Sequence, residues 1–330
     1  MKRKRILITG GSGFIGTNMI EYLLKINQNE IINVDKANPL KKDHYQFWSK
    51  CNILDKIDLI HIFNKFQPHY VIHLAARADC DGTTLSDYID NTIGTENVIN
   101  AIKLCCSIEK IVFTSTQYVY RPGVTGPEND EDYNPHTEYG QSKVLNEIAV
   151  RNAELKQCWT IIRPTNIWGP WHLRYRDQFL RVMYSGKYFH PSGNDVIKSY
   201  GYVGNVVDQI YKILKALPDM VNRKVLYVGD EPIPLIDWVN AFSKLIQKRT
   251  VRRIPRVLLK TLSELGDILI SLGGSFPLSR SRYDNMISDY ITPIDKTISI
   301  IGRPTIHLNT GVQETINWLN SAESGANYTE

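Results

Sequence analysis

The sequence is poor in cysteine, and its cysteines show no pattern of a metal site. Five occur in 330 residues, and none has the spacing that zinc ligands usually show. The number is odd, and Cys105 and Cys106 are neighbours on a predicted helix, where a packing role is more common than a chemical one. This usage predicts a reducing, cytoplasmic location and no metal cofactor.

Long apolar runs, internal repeats and segments of low complexity are also missing. No uncharged stretch reaches the roughly 18 apolar residues of a membrane span. Only Ile6-Leu7-Ile8 separates the basic N-terminus from a run of glycines, which does not match the apolar core of a signal peptide. We therefore expect no stable membrane insertion.

The net charge is modest, +5 at pH 7. Basic residues are concentrated at positions 2–5 and again at 248–256. A basic excess suits an anionic substrate, and nucleic-acid binding is the alternative that such a charge suggests. No nucleic-acid-binding motif accompanies it, so we expect no nucleic-acid partner and interpret these charges as solvated faces.

A nucleotide-binding loop opens the chain. A short apolar run precedes Gly10-Gly11-Ser12-Gly13-Phe14-Ile15-Gly16, and helical periodicity follows as far as Ile26. In such a strand–turn–helix unit, Gly10 would make the tight turn, Gly13 would admit a pyrophosphate, and Gly16 would let the helix pack on the strand. The helix N-terminus would also attract the anion. A glycine turn without a ligand is the alternative, which the flanking strand, helix and downstream acid disfavour.

The downstream acid is Asp35, which ends the predicted strand at residues 30–34. A carboxylate there accepts both hydroxyls of the adenosine ribose and repels a 2′-phosphate, so it favours NAD over NADP. Lys36 follows directly and would weaken that discrimination. A simple strand-end acid is the alternative interpretation.

Apolar strand-like runs alternate with helical periodicity. This alternation predicts an α/β fold, a Rossmann-type doubly wound parallel sheet covered on both faces. Ligands bind at the carboxyl ends of the strands of such sheets, where Gly10, Asp35, Ala75 and Thr116 fall. Strands are predicted at residues 5–9, 30–34, 69–74, 110–114, 159–162 and 225–228, and helices at 18–26, 87–104, 138–150 and 206–217.

Tyr139 and Lys143 lie four residues apart in the predicted helix at 138–150. One helical turn places them on the same face, so the phenol and the ammonium would point into one site. A free phenol titrates near pH ~10, and a nearby cation favours the phenolate and makes it useful in acid–base catalysis. Tyr and Lys at this spacing are common on solvated helices. The nucleotide-binding loop earlier in the chain is what favours a catalytic interpretation of this pair.

The sequence resembles the extended short-chain dehydrogenase/reductases, and within them the nucleotide-sugar epimerases and dehydratases. The resemblance runs nearly the whole length and rests on seven ordered motifs. They are Thr9-Gly10-Gly11-Ser12-Gly13-Phe14-Ile15-Gly16, Asp35, His73-Leu74-Ala75-Ala76, Asn91-Thr92-Ile93-Gly94-Thr95, Ser115-Thr116-Gln117-Tyr118-Val119-Tyr120, Tyr139 with Lys143, and Arg163-Pro164-Thr165-Asn166-Ile167-Trp168-Gly169-Pro170.

The resemblance implies NAD as the cofactor and three catalytic residues. Thr116 would hydrogen-bond the reacting substrate oxygen, Tyr139 would transfer its proton, and Lys143 would bind the nicotinamide ribose and lower the pKa of the tyrosine. Asn52 stands where the family usually has aspartate, and its amide would bond the adenine amino group. The implied cofactor contacts are Gly10, Gly13, Phe14, Ile15, Gly16, Asp35, Asn52, Ile53, Leu74, Ala75, Ala76, Ser115, Tyr139 and Lys143.

The resemblance also implies a nucleotide-sugar substrate. Asn166 matches an asparagine that binds the substrate diphosphate, and Gln117 is expected beside the substrate. Lys198 stands where the family usually has arginine. Lysine pairs with phosphate as a point charge but cannot make the bidentate fork, and a surface lysine is the alternative at this position.

The two residues after Thr116 narrow the reaction. The family's 4,6-dehydratases carry an Asp-Glu pair there, whereas this chain has Gln117 and Tyr118, neither of which is an acid–base group near neutral pH. We therefore predict an NAD-dependent nucleotide-sugar epimerase acting at C4. A nucleotide-sugar ketone reductase or dehydrogenase is the enzymatic alternative. A non-catalytic NAD-binding regulator is the alternative of another class, which the intact catalytic set disfavours.

Two domains are predicted, the second discontinuous. Residues 1–166 would bind NAD, with 199–230 packing back onto them. Residues 167–198 and 231–303 would form a smaller α/β substrate lobe, and 304–330 a closing helix and a frayed tail.

The apolar segment 254–272 predicts a lobe helix, a dimer face or a membrane-surface helix, the first two together being favoured. We expect a homodimer.

Overall fold

The computed structural model of the protein describes residues 3–122, 127–274 and 276–323. Its strands are β1 (Lys4–Thr9), β2 (Asn29–Asp35), β3 (Trp48–Lys50), β4 (Tyr70–His73), β5 (Lys110–Thr114), β6 (Cys158–Pro164), β7 (Asn166–Trp168), β8 (Phe189–Pro191), β9 (Ile197–Lys198), β10 (Tyr200–Tyr202), β11 (Lys224–Val228), β12 (Ile233–Pro234) and β13 (Arg252–Ile254). Its helices are α1 (Phe14–Ile26), α2 (Lys56–Phe66), α3 (Ile93–Leu104), α4 (Glu138–Asn152), α5 (Leu173–Tyr175), α6 (Arg181–Tyr184), α7 (Val203–Lys215), α8 (Pro218–Val221), α9 (Leu235–Gln247), α10 (Arg256–Ser271), α11 (Arg280–Ile287), α12 (Asp295–Ile301) and α13 (Leu308–Glu323).

Seven strands form one parallel sheet in the order β11-β6-β5-β4-β1-β2-β3. The direction in which strands are added reverses between β1 and β4, which leaves a crevice at their carboxyl ends. The α/β fold class predicted from the alternation of strands and helices is confirmed.

The side chains of β1 alternate between two apolar cores. Ile6 and Ile8 pack into a core shared with α1 and α7, whereas Leu7 packs into a second core with α2 and α3. All three are fully buried. Because both faces of the sheet are covered, its strands consist largely of apolar residues.

The remainder of the chain packs beside the sheet around an aromatic cluster. The strand pairs here are β7–β10, β9–β12 and β8–β13. Trp238 of α9 stacks on Tyr200, with ring centroids 4.6 Å apart and an interplanar angle of 13°, and Trp168 and Phe242 adjoin them. Between β10 and β12 the chain returns to the sheet as β11. The predicted division into two domains depends on this course and stays a prediction.

Several predicted helices have different bounds in the structure. The helix expected from residue 87 begins at Ile93, because a 3-10 turn, Leu85–Tyr88, precedes it and is closed by a capping box between Thr84 and Asp87. The helix expected at 206–217 is Val203–Lys215. Of the closing helix and frayed tail expected at 304–330, residues 308–323 are helical, and those after 323 lie outside the described residues.

The segment expected to face a core or a dimer partner contains α10. Along this helix only Leu259, Ser263 and Gly266 are buried, so it does not bury its apolar side against the rest of the chain. Within the described ranges, no helix has the length and hydropathy to cross a membrane. The same part of the chain contains no cluster of three or more His, Cys, Asp or Glu side chains placed to hold a metal ion.

Candidate active site

A cavity of about 470 Å³ lies at the carboxyl ends of β1, β2, β4, β5 and β6, across the point where the strand order reverses. It brings together residues that lie far apart in the sequence. Of the predicted site residues, those that border it are Gly10, Gly13, Phe14, Ile15, Gly16, Asp35, Asn52, Ile53, Leu74, Ala75, Ala76, Ser115, Thr116, Tyr139, Lys143 and Asn166.

Three of the four glycines of the loop have different roles. Gly10 has a φ of +74°, and a Cβ there would lie 2.5 Å from the backbone nitrogen of Ala75. A Cβ on Gly16 would collide with the carbonyl oxygen of Gly10, so glycine is needed where α1 crosses the loop. A Cβ on Gly13 would meet only that same oxygen, at 3.3 Å. Since α1 begins at Phe14 without a side-chain cap, its first N–H groups are available to an anion in the cavity.

Asp35 is held by the backbone at the end of β2. Its Oδ2 accepts the N–H of Ser12 at 3.0 Å and its Oδ1 accepts the N–H of Ala37 at 2.9 Å. Burial raises the pKa of this carboxyl, and the two backbone donors oppose the rise. Lys36 forms an ion pair with Asp90, with Nζ and Oδ2 2.6 Å apart. The lysine expected to weaken the preference for NAD is therefore already neutralised.

Asn52 and Ile53 form the wall of the cavity next to α3. The Nδ2 of Asn97 donates to the carbonyl oxygen of Ile53 at 3.0 Å, which fixes this wall to the helix. The Asn52 Oδ1 accepts the N–H of Leu54 at 3.1 Å. The oxygen expected to meet the adenine amino group thus has one backbone partner, and its second lone pair and the side-chain NH₂ are both left for a base.

Helix α4 positions the tyrosine and the lysine. It starts where the Thr137 hydroxyl oxygen accepts the N–H of Gly140 at 3.0 Å, and its i, i+4 spacing puts Tyr139 and Lys143 on one face. Both side chains are buried and border the cavity. The Lys143 ammonium donates to the carbonyl oxygen of Thr114 at 2.9 Å.

The pKa of Tyr139 differs from the sequence-based expectation. Burial raises it well above the ordinary value of a phenol, and interaction with the Thr116 hydroxyl only partly opposes the rise. Burial also lowers the pKa of Lys143 to about 8, against the charge of Glu147. In the protein alone, desolvation therefore outweighs the lowering expected from Lys143, whose hydrogen bond goes to the backbone.

A buried ion pair lies behind Lys143. Arg163 on β6 donates to Glu147 on α4 through Nε and Nη2, both at 2.8 Å. The Ser115 hydroxyl donates to the same carboxylate at 2.6 Å. Neither charged side chain is exposed to solvent. The network joins α4 to β5 and β6. The sequence pattern that could have indicated it is Glu147 four residues after Lys143, followed by Arg163 near the end of the next strand.

The three predicted substrate residues are not all in one place. Asn166 borders the cavity, and its Nδ2 donates to the Tyr175 hydroxyl at 3.3 Å. Gln117 is buried outside the cavity lining, and its Oε1 has no partner within the described residues. Lys198 is also buried and outside the lining, where its ammonium donates to Asn285 at 2.9 Å. Burial lowers the pKa of Lys198 to about 8, so the surface-lysine alternative is wrong.

Some residues of the cavity were not predicted as contacts. The His172 ring lies 4.4 Å from the Phe14 ring, and burial lowers its pKa to about 4, so it is neutral at pH 7. No spacing in the sequence indicated it, because it enters from the segment after β7. The others are Ser12, Val34, Lys36, Ala37, Cys51, Ala78, Asp90, Thr114, Tyr118, Pro164, Thr165 and Ile167.

Residues 6–229 match the model of a family described as the NAD dependent epimerase/dehydratase family. One curated relative is the N-acetyl-alpha-D-glucosaminyl-diphospho-ditrans,octacis-undecaprenol 4-epimerase of Escherichia coli O157:H7, 31% identical over 63% of this chain. Another is the dTDP-D-glucose 4,6-dehydratase of Dictyostelium discoideum, 29% identical over 64% of this chain. These matches span 62% and 56% of the two relatives.

A solved structure is similar over a greater length. The UDP-glucuronic acid 4-epimerase of Bacillus cereus, in complex with UDP-glucuronic acid and NAD, gives a TM-score of 0.73 at 17% identity, over 96% of this chain and 99% of that one. At this identity the similarity establishes the fold alone.

Proposed function

The chain belongs to the NAD-dependent epimerase/dehydratase family, and we propose that it inverts C4 of a sugar carried on a nucleoside diphosphate. One observation carries the proposal. Thr116, Tyr139 and Lys143 border the same cavity, whereas the two positions after Thr116 lack the carboxylates that an elimination of water needs.

The residues of the cavity fit NAD. The first turn of α1 and the open face of Gly13 would hold the pyrophosphate, and Asp35 would hold the adenosine ribose. The pairing of Lys36 with Asp90 places a second carboxylate near the ribose site, which disfavours a 2′-phosphate. When bound, NAD supplies a reversible hydride acceptor for the oxidation of a carbinol.

Tyr139 would accept the proton of the reacting hydroxyl and later return it. Its buried phenol holds its proton in the protein alone, so it can accept the substrate proton only as the phenolate, after its own proton has passed to solvent. The cation of Lys143, one helical turn away, would favour that phenolate. The Thr116 hydroxyl would hydrogen-bond the same substrate oxygen. After rotation of the 4-keto-sugar, Tyr139 would return the proton to that oxygen when the other face is reduced, so no net proton is consumed.

Elimination of water is disfavoured by the groups present. Abstraction of the C5 proton needs a base, and the Gln117 amide is not basic enough to serve as one. Burial raises the pKa of the Tyr118 phenol, which makes it a still weaker acid than a free phenol. This supports epimerisation over 4,6-dehydration.

A polyprenyl diphosphate is a second candidate for the carrier of the sugar. The relative from Escherichia coli is a 4-epimerase of a sugar on undecaprenol diphosphate. In this chain Lys198, the residue expected to bind a nucleotide diphosphate, lies outside the cavity lining. A sugar attached to a diphosphate is present in both kinds of substrate. The assay must therefore include a nucleotide sugar and a polyprenyl-diphosphate sugar.

Purified protein with NAD would be incubated with UDP- and dTDP-hexoses and with a polyprenyl-diphosphate N-acetylhexosamine. We expect a C4 epimer by NMR, with no change in mass and no net reduced nicotinamide. Loss of water, detected by mass spectrometry, would overturn the assignment in favour of a dehydratase. Stoichiometric formation or consumption of reduced nicotinamide would instead establish the dehydrogenase or reductase.

We also infer a homodimer formed through α3 and α4. These helices contact each other, and they expose Ile93, Leu104, Leu145 and Ile148. An apolar face of this kind on two adjacent helices supports pairing with a second copy. Light scattering should give twice the chain mass for the wild type and the chain mass for Leu104→Glu; a wild-type monomer would contradict the inference.

A further inference from the structure

Helix α10 exposes one continuous apolar face, which we call the α10 stripe. Its members lie within about a third of the helix circumference, because they recur at three- and four-residue spacings. Their exposed fractions run from 46% for Leu269 to 78% for Leu272. The α10 stripe consists of Val257, Leu258, Leu265, Ile268, Leu269 and Leu272.

The opposite side of α10 holds the helix to the protein. A Cβ on Gly266 would collide with the backbone oxygen of Leu278, so the two segments are in close contact. Glu264 pairs with the guanidinium of Arg280 at the start of α11, whereas Asp267 accepts the backbone N–H of the same residue. Of the two acids of the helix, Glu264 therefore has a cation as its partner.

Basic residues are concentrated before α10 and in its first half. The sequence from residue 238 to residue 263 contains seven lysines and arginines and no acid. Two of them are engaged within the chain, since Arg253 pairs with Asp195 and Arg256 donates to the backbone of residues 192 and 194. Arg252 and Lys260 are exposed and have no carboxylate within 4.0 Å in the described part of the chain.

We propose that α10 docks flat on an anionic lipid surface, with the α10 stripe among the acyl chains and Arg252 and Lys260 at the headgroups. Amphipathic helices that combine leucine and isoleucine on one side with basic residues beside them bind membranes in this way. The proposal does not depend on the reaction that the enzyme catalyses.

A second copy of the chain fits this face less well than a lipid surface. A two-fold contact between two α10 stripes would bring the same unpaired cations towards each other, and like charges without counterions oppose association. An anionic surface supplies the counterions and the apolar phase together. The charge distribution thus favours lipid over self-association.

The test is sedimentation of the full-length protein with vesicles of phosphatidylcholine alone and of phosphatidylcholine mixed with phosphatidylglycerol. Two double variants separate the contributions: Leu265→Gln with Ile268→Gln removes apolar contact, and Arg252→Gln with Lys260→Gln removes charge. The matched controls are Ile57→Gln and Lys65→Gln, which change exposed residues of the same types on α2. Thermal unfolding and NAD titration establish that each variant is folded.

We expect the wild type and both controls to bind the mixed vesicles, and each double variant to bind at least about tenfold more weakly, a loss of the size that a few buried methylenes or two juxtamembrane cations produce. Binding should also fall with added salt. Wild-type protein that stays in the supernatant would overturn the proposal, as would a glutamine variant of the α10 stripe that binds normally. A lower mass of that variant in light scattering would overturn it too, because the α10 stripe would then be a protein interface.

Discussion

Lys143 donates its ammonium hydrogen to the carbonyl oxygen of Thr114, 2.9 Å away, and makes no hydrogen bond to the phenol of Tyr139. The bond ties α4 to the end of β5. The ammonium lies at the cavity even before a ligand enters, where burial lowers its pKa to about 8. The position of the Lys143 ammonium is thus set by a backbone oxygen, while we expect the protonation of the Tyr139 phenol to depend on what fills the cavity.

Tyr139→Phe should abolish turnover and leave NAD affinity nearly unchanged, because it deletes only the oxygen that exchanges the proton. Acid–base groups contribute roughly 10²- to 10⁴-fold, and we expect a loss of kcat in that range, measured by NMR of the sugar product. Tyr45→Phe, at a half-exposed tyrosine outside the cavity, is the control. A Tyr139→Phe rate within about tenfold of wild type would remove the proton-transfer role.

Activity should decline as the pH rises through about 8, the pKa of Lys143. The sign follows from the lysine: it carries its charge below that pKa and loses it above, and both ribose binding and stabilisation of the phenolate need the charge. Lys143→Met should abolish this alkaline limb, lower the rate and weaken NAD binding. An unchanged NAD affinity, measured by calorimetry, would contradict the ribose contact.

Cofactor choice should respond to Asp35 and Asp90 in different ways. Asp35→Ala removes a ribose acceptor, so we expect NAD affinity to fall about 10- to 100-fold, the value of a charged hydrogen bond. Asp90→Asn releases Lys36 from its ion pair and should strengthen NADP binding without removing Asp35. Adding Lys36→Met to Asp90→Asn should reverse that gain. Tighter binding of NADP than of NAD by the wild type would contradict both assignments.

Glu147→Gln should lower the free energy of unfolding by about 3–5 kcal/mol, because it leaves the buried Arg163 guanidinium without its counterion. Replacing Arg163 with Met in the same chain should restore part of the loss, and chemical denaturation of both single variants and the double variant measures the coupling. Since the charge of Glu147 raises the pKa of Lys143, the alkaline limb of the glutamine variant should move to lower pH. Additive losses of stability would show that the two side chains are not coupled.

Most of the sheet and of the cofactor cavity could be predicted from the sequence, because glycines, strand-end polar residues and helical spacing are local signals. The predicted start of α3 at residue 87 was wrong, because the capping box between Thr84 and Asp87 closes a separate 3-10 turn before the helix. The composition around residue 87 is typical of a helix and does not indicate that break. The raised pKa of Tyr139 in the protein alone could not be predicted from the sequence, since burial is a property of the whole fold. The place of Lys198 beside Asn285 depends on a contact across almost ninety positions of the chain, which no local pattern encodes.

The pairing of β11 with β6 has a consequence for synthesis of the chain. On a ribosome β6 is complete at Pro164, but its partner begins only at Lys224, so everything from residue 165 to 223 must emerge while one edge of the sheet has open backbone donors and acceptors. Edges of this kind attract other extended chains, and slow, non-local closure prolongs the exposure. The nascent protein is therefore most vulnerable to aggregation over this stretch of translation, when the cofactor cavity is already outlined but the sheet still lacks its last strand.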